Sequence, residues 1–209
     1  MGRFSCPKEE KMEKFDVLDE KGKPTGKVES REKCHKEGLW HRAIFLFILS
    51  MDDKKVLLQQ RSANKRMWPN LWDLTAGGHV DSGESIDEAI IRETKEELGI
   101  DIDKKELEFV EEKPSINIKG DIINKHFNNM YVIHKDIDIN DIVLQKEEVQ
   151  DIKWFDIEEV IRRVNNNYDG ITDKANAWSG LIDYLEKRKE KVESGKWDGS
   201  LFQNEEIIF

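Results

Sequence analysis

The stretch Gly78–Ile100, GHVDSGESIDEAIIRETKEELGI, constrains the chain most, because it commits a glycine-bounded loop to feed a helix that carries glutamates on one side. Ser85 with Glu88 three residues on is a capping box and starts the helix, and Gly99 just past Leu98 is its stop. On a helical wheel Ile90, Ile91, Thr94 and Leu98 gather on one face, while Glu93, Glu96 and Glu97 fall on an adjacent face at i, i+3 and i+4. Like charges at that spacing cost an exposed helix about 0.2–0.5 kcal/mol per pair. A concentrated carboxylate face is better explained by a hard divalent cation, which takes oxygen ligands and leaves room for phosphate and water. The helix is a metal platform.

The whole chain bounds what surrounds this platform. Its 209 residues suit one enlarged domain over 15–209, with a flexible tail at 1–14, an N-terminal hairpin and a C-terminal helical extension. A net charge of −10 argues against a nucleic-acid polymer as partner, since a phosphate backbone needs a positive surface. A small phosphorylated substrate remains compatible, because a local basic cluster and a bound cation overcome the global sign. Cys6 and Cys34 are too few for a disulfide framework. No apolar run approaches the ~20 residues of a membrane span. The N-terminal residues show no apolar signal core, so a cytoplasmic location is expected.

Taken in order, Phe15–Leu18 and Lys27-Val28 read as a hairpin around the turn residues Gly22, Pro24 and Gly26. Arg31–Lys36 reads as a helical turn ended by Gly38, and Ala43–Leu49 (AIFLFIL) as a buried strand. Further strands are expected at Val56–Gln60, Leu71–Ala76, Leu107–Glu111, His126–Ile133 and Ile152–Phe155. Helices are expected at Ile157–Val164 and Thr172–Val192. The apolar end, Leu201-Phe202 and Ile207-Ile208-Phe209, suits docking on the core or on a second copy in a homodimer. Trp68, Trp72 and Trp154 could each stack on a base, although an aromatic beside a strand is more often core.

The Gly78–Ile100 stretch resembles the Nudix box, G-x5-E-x7-R-E-U-x-E-E-x-G-U with U a bulky apolar residue. Gly78, Glu84, Arg92, Glu93, Glu96, Glu97, Gly99 and Ile100 fill its positions, and Thr94 stands in the first apolar slot. Seven fixed matches arise by chance on the order of once in 10^8–10^9 frames. The resemblance implies an α/β/α sandwich around a mixed β-sheet. It also implies hydrolysis of a diphosphate linkage in a nucleoside diphosphate derivative or related organic pyrophosphate, with Mg²⁺, or Mn²⁺ in its place. Glu93, Glu96 and Glu97, with the Gly78 carbonyl, are then the metal ligands. Arg92 orients a metal glutamate by a bidentate hydrogen bond, Glu84 fixes the loop to the helix, and Glu93 or Glu148 serves as base.

Outside the box, Gly22–Gly26, His41, Arg61-Ser62, Lys65, Trp68-Pro69, Trp72, Gly78-His79, Glu148-Val149 and Trp154–Asp156 resemble the isopentenyl-diphosphate isomerase branch of the same superfamily. That likeness makes Arg61 and Lys65 the residues that grip the substrate diphosphate, and lets His79 touch phosphate or metal. The isomerase, however, moves protons on carbon with a cysteine just before the Gly-His pair, where this chain has Gly77. One of that branch's metal histidines falls on Cys34, with His35 one place off, and its Glu-x-Glu falls on His126-Phe127-Asn128. The losses fall on isomerase chemistry and the retained groups are those for hydrolysis. Isomerisation, disfavoured by Gly77, and a non-catalytic binding module, disfavoured by the intact glutamate cluster, are the alternatives, separated by a panel assay of nucleoside diphosphate derivatives, sugar nucleotides, dinucleotides and isopentenyl diphosphate with Mg²⁺.

Overall fold

Seven apolar residues in a row cannot lie on a strand with one wet face, because successive side chains point to opposite sides. In the computed structural model, which describes residues 13–194, they form the C-terminal part of β3 (Trp40–Leu49), and both faces of that part are buried. Ile44, Leu46 and Ile48 face one cluster, which is closed by Ala89, Ile90 and Leu98 of helix α2 (Ile86–Leu98). Phe45, Phe47 and Leu49 face the other, closed by Val160 of α3 (Ile157–Asn165) and by Trp178, Leu181 and Tyr184 of α4 (Ala175–Glu193). Each fully buried side chain of this size contributes about 1.5–3 kcal/mol. The result is the expected mixed sheet between helices.

The sheet is built outward from β3. On one side β6 (Ala76–His79) runs antiparallel to it, and on the other β8 (Ile122–His134) runs parallel along its whole length. β7 (Glu108–Lys119) flanks β8, while β4 (Lys55–Arg61) joins β3 at Ile48 and Leu49 and carries β5 (Trp72–Asp73) and β9 (Val149–Asp156). β1 (Lys14–Leu18) and β2 (Pro24–Ser30) form the expected hairpin, which meets β3 at Trp40. Helix α1 (Arg31–Glu37) follows, capped by Ser30 and ended by Gly38 at φ 64°.

Four local expectations are corrected. Gly77 and Gly78 belong to strand β6 rather than to a loop, and the loop follows at residues 80–85. β7 runs to Lys119, well past Glu111; as an edge strand it tolerates Pro114, and its Ile116 and Ile118 face outward. The stretch Leu71–Ala76 is divided between β5 and β6. α4 starts at Ala175 instead of Thr172, because Thr172 is drawn against β5, its hydroxyl on Asp73 at 3.0 Å and its amide on the Trp72 carbonyl at 2.8 Å. Among the described residues no helix is long and apolar enough to cross a membrane. The 1–14 tail, except its last two residues, and the apolar C-terminal end lie outside the described residues.

Candidate active site

A cavity of about 900 Å³ opens against the C-terminal half of α2 and is lined on one side by Gly77, Gly78, Arg92, Glu93, Glu96 and Glu97. The helix is aimed at it by its caps. Ser85 and Glu88 form the reciprocal capping box, and Gly99 ends the helix at φ 69°. Thr94 is buried in the apolar face and satisfies its hydroxyl on the Ile90 carbonyl at 2.7 Å, so the unusual slot costs little.

One guanidinium organises the acidic wall. Arg92 holds both oxygens of Glu84, at 2.8 and 2.9 Å, and the same ion reaches Glu93 at 2.8 Å, Glu96 at 3.3 Å and the His79 carbonyl at 3.0 Å. Its bidentate partner is therefore Glu84, and of the proposed metal glutamates Glu93 and Glu96 each receive a single bond, which corrects the expected pairing. Glu84 also accepts from the Asp81 amide at 3.0 Å, tying loop to helix as expected.

The glutamates sit at three depths. Glu96 is half-exposed, Glu93 is mostly buried, and Glu97 is buried. Glu97 accepts from the Gly77 amide at 3.3 Å and from Gln59 at 3.2 Å. Burial, and then the neighbouring Glu93, push its pKa up to about 8. Burial also raises Glu93, against the pull of Arg92. A Cβ at Gly78 would stand 2.2 Å from the Glu93 carboxylate, so only glycine lets that side chain lie over β6.

The facing wall is basic, but its cations are not free. Arg61 pairs with buried Asp73 at 3.1 Å and donates to the Met67 carbonyl at 3.1 Å. Lys174 pairs with the same carboxylate at 2.7 Å. Burial alone would push Asp73 up, but Lys174 and Arg61 outweigh it and hold the carboxyl below its usual range. Lys65 pairs with Glu148, so the expected phosphate cation and the expected loop base are partners. Trp68 lies between Arg61 and Lys174, with both cations within 6 Å of its ring (5.9 and 5.3 Å), and its backbone is left-handed at φ 51°. Trp72 and Trp154 pack against the two cores instead of lining the cavity. His79 turns its ring away from Arg92 into a group formed with His35, His41 and His126.

Lys174, Asp73, Gln59 and this histidine group escaped the sequence reading. Lys174 and Asp73 are a hundred residues apart, and His35, His41, His79 and His126 lie on separate elements, so no local spacing announces them. His41-x-Ala43 on β3 opposite Gly78-His79 is the one trace, visible only once the register is known.

The NUDIX domain family profile matches residues 39–175. The chain is 36% identical over 152 residues to Nudix hydrolase 3 of Arabidopsis thaliana; the match takes in 70% of this chain and spans only 20% of that longer protein. It is 34% identical over 162 residues to an uncharacterised Nudix hydrolase of Clostridium acetobutylicum, covering 75% of this chain and 76% of that one. It is also 30% identical over 161 residues to the isopentenyl-diphosphate Delta-isomerase of Salmonella arizonae, covering 71% and 80%. A crystal structure from Deinococcus radiodurans superposes with a TM-score of 0.58 at 20% identity, over 83% of this chain and 98% of that one, which shows the shared fold. With this sheet, this box helix and these matches, the chain belongs to the Nudix family and is a Nudix hydrolase.

Proposed function

We propose that the chain cleaves a diphosphate linkage in a nucleoside diphosphate derivative or related organic pyrophosphate, with Mg²⁺ held by Glu93, Glu96, Glu97 and the Gly78 carbonyl. The observation that carries this reading is the meeting, across one cavity, of an all-oxygen donor set and a basic wall containing Arg61, Lys65 and Lys174. The donors fit a hard cation, because oxygen ligands are what Mg²⁺ takes, and among the described residues buried Glu97 has no cationic partner at hydrogen-bond distance. When bound, the ion neutralises the diphosphate oxygens and lowers the pKa of a coordinated water.

The chain's own residues then position the reaction. Arg92 fixes Glu93 and Glu96, and Glu84 fixes Arg92. An arriving phosphate recruits Lys65, which leaves Glu148 at the cavity mouth to accept the proton of the attacking water. Glu93 is the alternative base, but its bond to Arg92 makes it the poorer one. Trp68 offers a face on which a base could stack, and the cavity is large enough for a nucleotide as well as the diphosphate.

Isomerisation is disfavoured at one atom. Gly77 provides no acid or base, and a Cβ there would stand 2.8 Å from Leu74 and 3.2 Å from the Ile44 carbonyl. The deciding experiment is a substrate panel with Mg²⁺: nucleoside diphosphate derivatives, sugar nucleotides, dinucleotides and isopentenyl diphosphate. Release of a monophosphate product from one of the first three supports the reading. Turnover of isopentenyl diphosphate alone overturns it.

A further inference from the structure

We propose that the organic half of the substrate is a sugar, held through its hydroxyls by a wall of hydrogen-bond acceptors formed by Asn124, Asn128 and Asn176. This rests on the hydrolase reading above, because the diphosphate seats beside the box and leaves the wall to the rest of the molecule. Asn124 and Asn128 stand on β8 and Asn176 in the first turn of α4, and all three line the cavity. The β8 pair are four residues apart on one face, a span of about 13 Å that a single phosphate cannot bridge.

Each carboxamide has committed its nitrogen to the protein. Asn124 Nδ2 donates to Met67 Sδ at 3.1 Å, Asn128 Nδ2 to Ser115 Oγ at 2.7 Å and Asn176 Nδ2 to the Pro114 carbonyl at 3.0 Å. A thioether sulfur and a peptide carbonyl carry no proton, so at Asn124 and Asn176 only the NH₂ end can face them. The oxygens are the ends left over. The Oδ1 atoms of Asn124 and Asn128 are buried with no hydrogen-bond partner among the described residues, and Asn128 as a whole is 4% exposed. Buried acceptors are rarely left unpaired in a folded protein, so these two await a donor from outside the chain.

The chemistry of the wall selects that donor. Ionised phosphate oxygens only accept hydrogen bonds, so they gain nothing from carboxamide oxygens. His126, between the two asparagines, is kept uncharged by burial and then by His41 and His35. Ser115 and Asn117, the β7 partners of His126 and Asn124, are uncharged as well, and Lys113 beside Asn128 is turned to Glu111 at 2.8 Å. Among the described residues of β7 and β8 no carboxylate lines the cavity, so an ammonium group would find no partner there. A hydrocarbon chain would cover the carboxamide oxygens without satisfying them. Neutral hydroxyls on neighbouring carbons meet every one of these conditions, and a sugar carries them.

The test measures dissociation constants by calorimetry on the full chain with Mg²⁺, using UDP-glucose, ADP-ribose, geranyl diphosphate and inorganic diphosphate. We expect at least one of the two sugar nucleotides to bind wild type at least about tenfold more tightly than geranyl diphosphate. Asn124→Leu and Asn128→Leu keep the size of the side chain and remove the acceptor. Each should weaken that sugar nucleotide by about tenfold or more and leave inorganic diphosphate unchanged, which a merely structural defect would not do. Equal or tighter binding of geranyl diphosphate by wild type overturns the proposal, and that result depends on no variant folding. Equal loss of sugar nucleotide and inorganic diphosphate in the variants overturns it too, as does wild-type affinity for the sugar nucleotide in both. Tight binding of a sugar nucleotide that is never cleaved would support the wall and overturn the hydrolase reading alone.

Discussion

The Cβ that Gly78 lacks would lie 2.2 Å from Glu93 Oε1, so a backbone atom of β6 and a carboxylate of α2 share space that no other residue could leave vacant. Gly78 does not need glycine for its backbone angles, since it is absent from the positive-φ residues. The atom it would strike is the far end of a flexible side chain. Gly78→Ala should therefore swing Glu93 aside with little loss of Tm, while kcat/KM falls by about 10²-fold or more, the scale of a misplaced group at a reacting centre. Wild-type turnover in this variant, measured at saturating Mg²⁺, would remove Glu93 from the site.

Glu97 gives the chain a pH signature. Its folded pKa of about 8 is above the ordinary carboxylate value, so the folded state holds a proton that the unfolded state has released. That contribution is fully present below the unfolded value near 4.5 and is lost as pH rises through about 8. Denaturant melts of chelator-treated protein should show stability falling across this window relative to Glu97→Gln. Mg²⁺ should offset the loss in wild type only. Parallel pH profiles for the two proteins would contradict the burial argument.

The metal ligands should part company from stability. Glu96 is half-exposed and its only described partner is Arg92, so Glu96→Gln should keep Tm and lower kcat steeply. Glu97→Gln should be equally inactive and at least as stable as wild type without Mg²⁺. Activity equal to wild type in both variants, with metal controlled, would place the cation elsewhere.

Arg61 and Lys65 look equivalent in the sequence and are not equivalent in the structure. Lys65→Gln removes a cation whose one ion-pair partner among the described residues is Glu148, on the cavity wall. It should cost about 10–150-fold in kcat/KM, the worth of a charged hydrogen bond of about 1.5–3 kcal/mol, without loss of Tm. Arg61→Gln also strips one of two cations from buried Asp73, so its Tm should drop as well, by about 2–4 °C for each kcal/mol lost. An unchanged melting curve for Arg61→Gln would mean that Lys174 alone suffices.

Gly77 predicts inertness toward isopentenyl diphosphate, even with Mg²⁺ and fresh reductant. Formation of dimethylallyl diphosphate at an enzymatic rate would reverse the ranking of the two enzymes despite the missing side chain.

What the sequence disclosed was whatever rests on local rules. The Ser85–Glu88 box, the Gly38 and Gly99 stops and the run from Ala43 to Leu49 each carry their own physics within a few residues, and each appears in the fold. The acidic wall was legible for the same reason, since one helix supplies it. The depth of Glu97 was not, because a wheel gives direction but not which neighbour covers a side chain. Nor was the commitment of Arg61 to Asp73 and of Lys65 to Glu148, which depends on β4, β5 and the loop before β9 meeting in space. The histidine group needs the parallel register of β3 and β8, set by nothing nearer than the whole sheet.

Because β3 is hydrogen-bonded on both edges and covered on both faces, its amides have no route to solvent short of opening the sheet. Hydrogen exchange should be slowest there, and its protection should extend into Gly78 and Phe127, whose strands flank it. The cavity then has a floor of strand and box helix, which carries the proposed metal donors, and banks of loop: Trp68 lies between β4 and β5, and Glu148 just before β9. Selection for a different leaving group could rewrite those banks and leave the hydrolytic floor as it is.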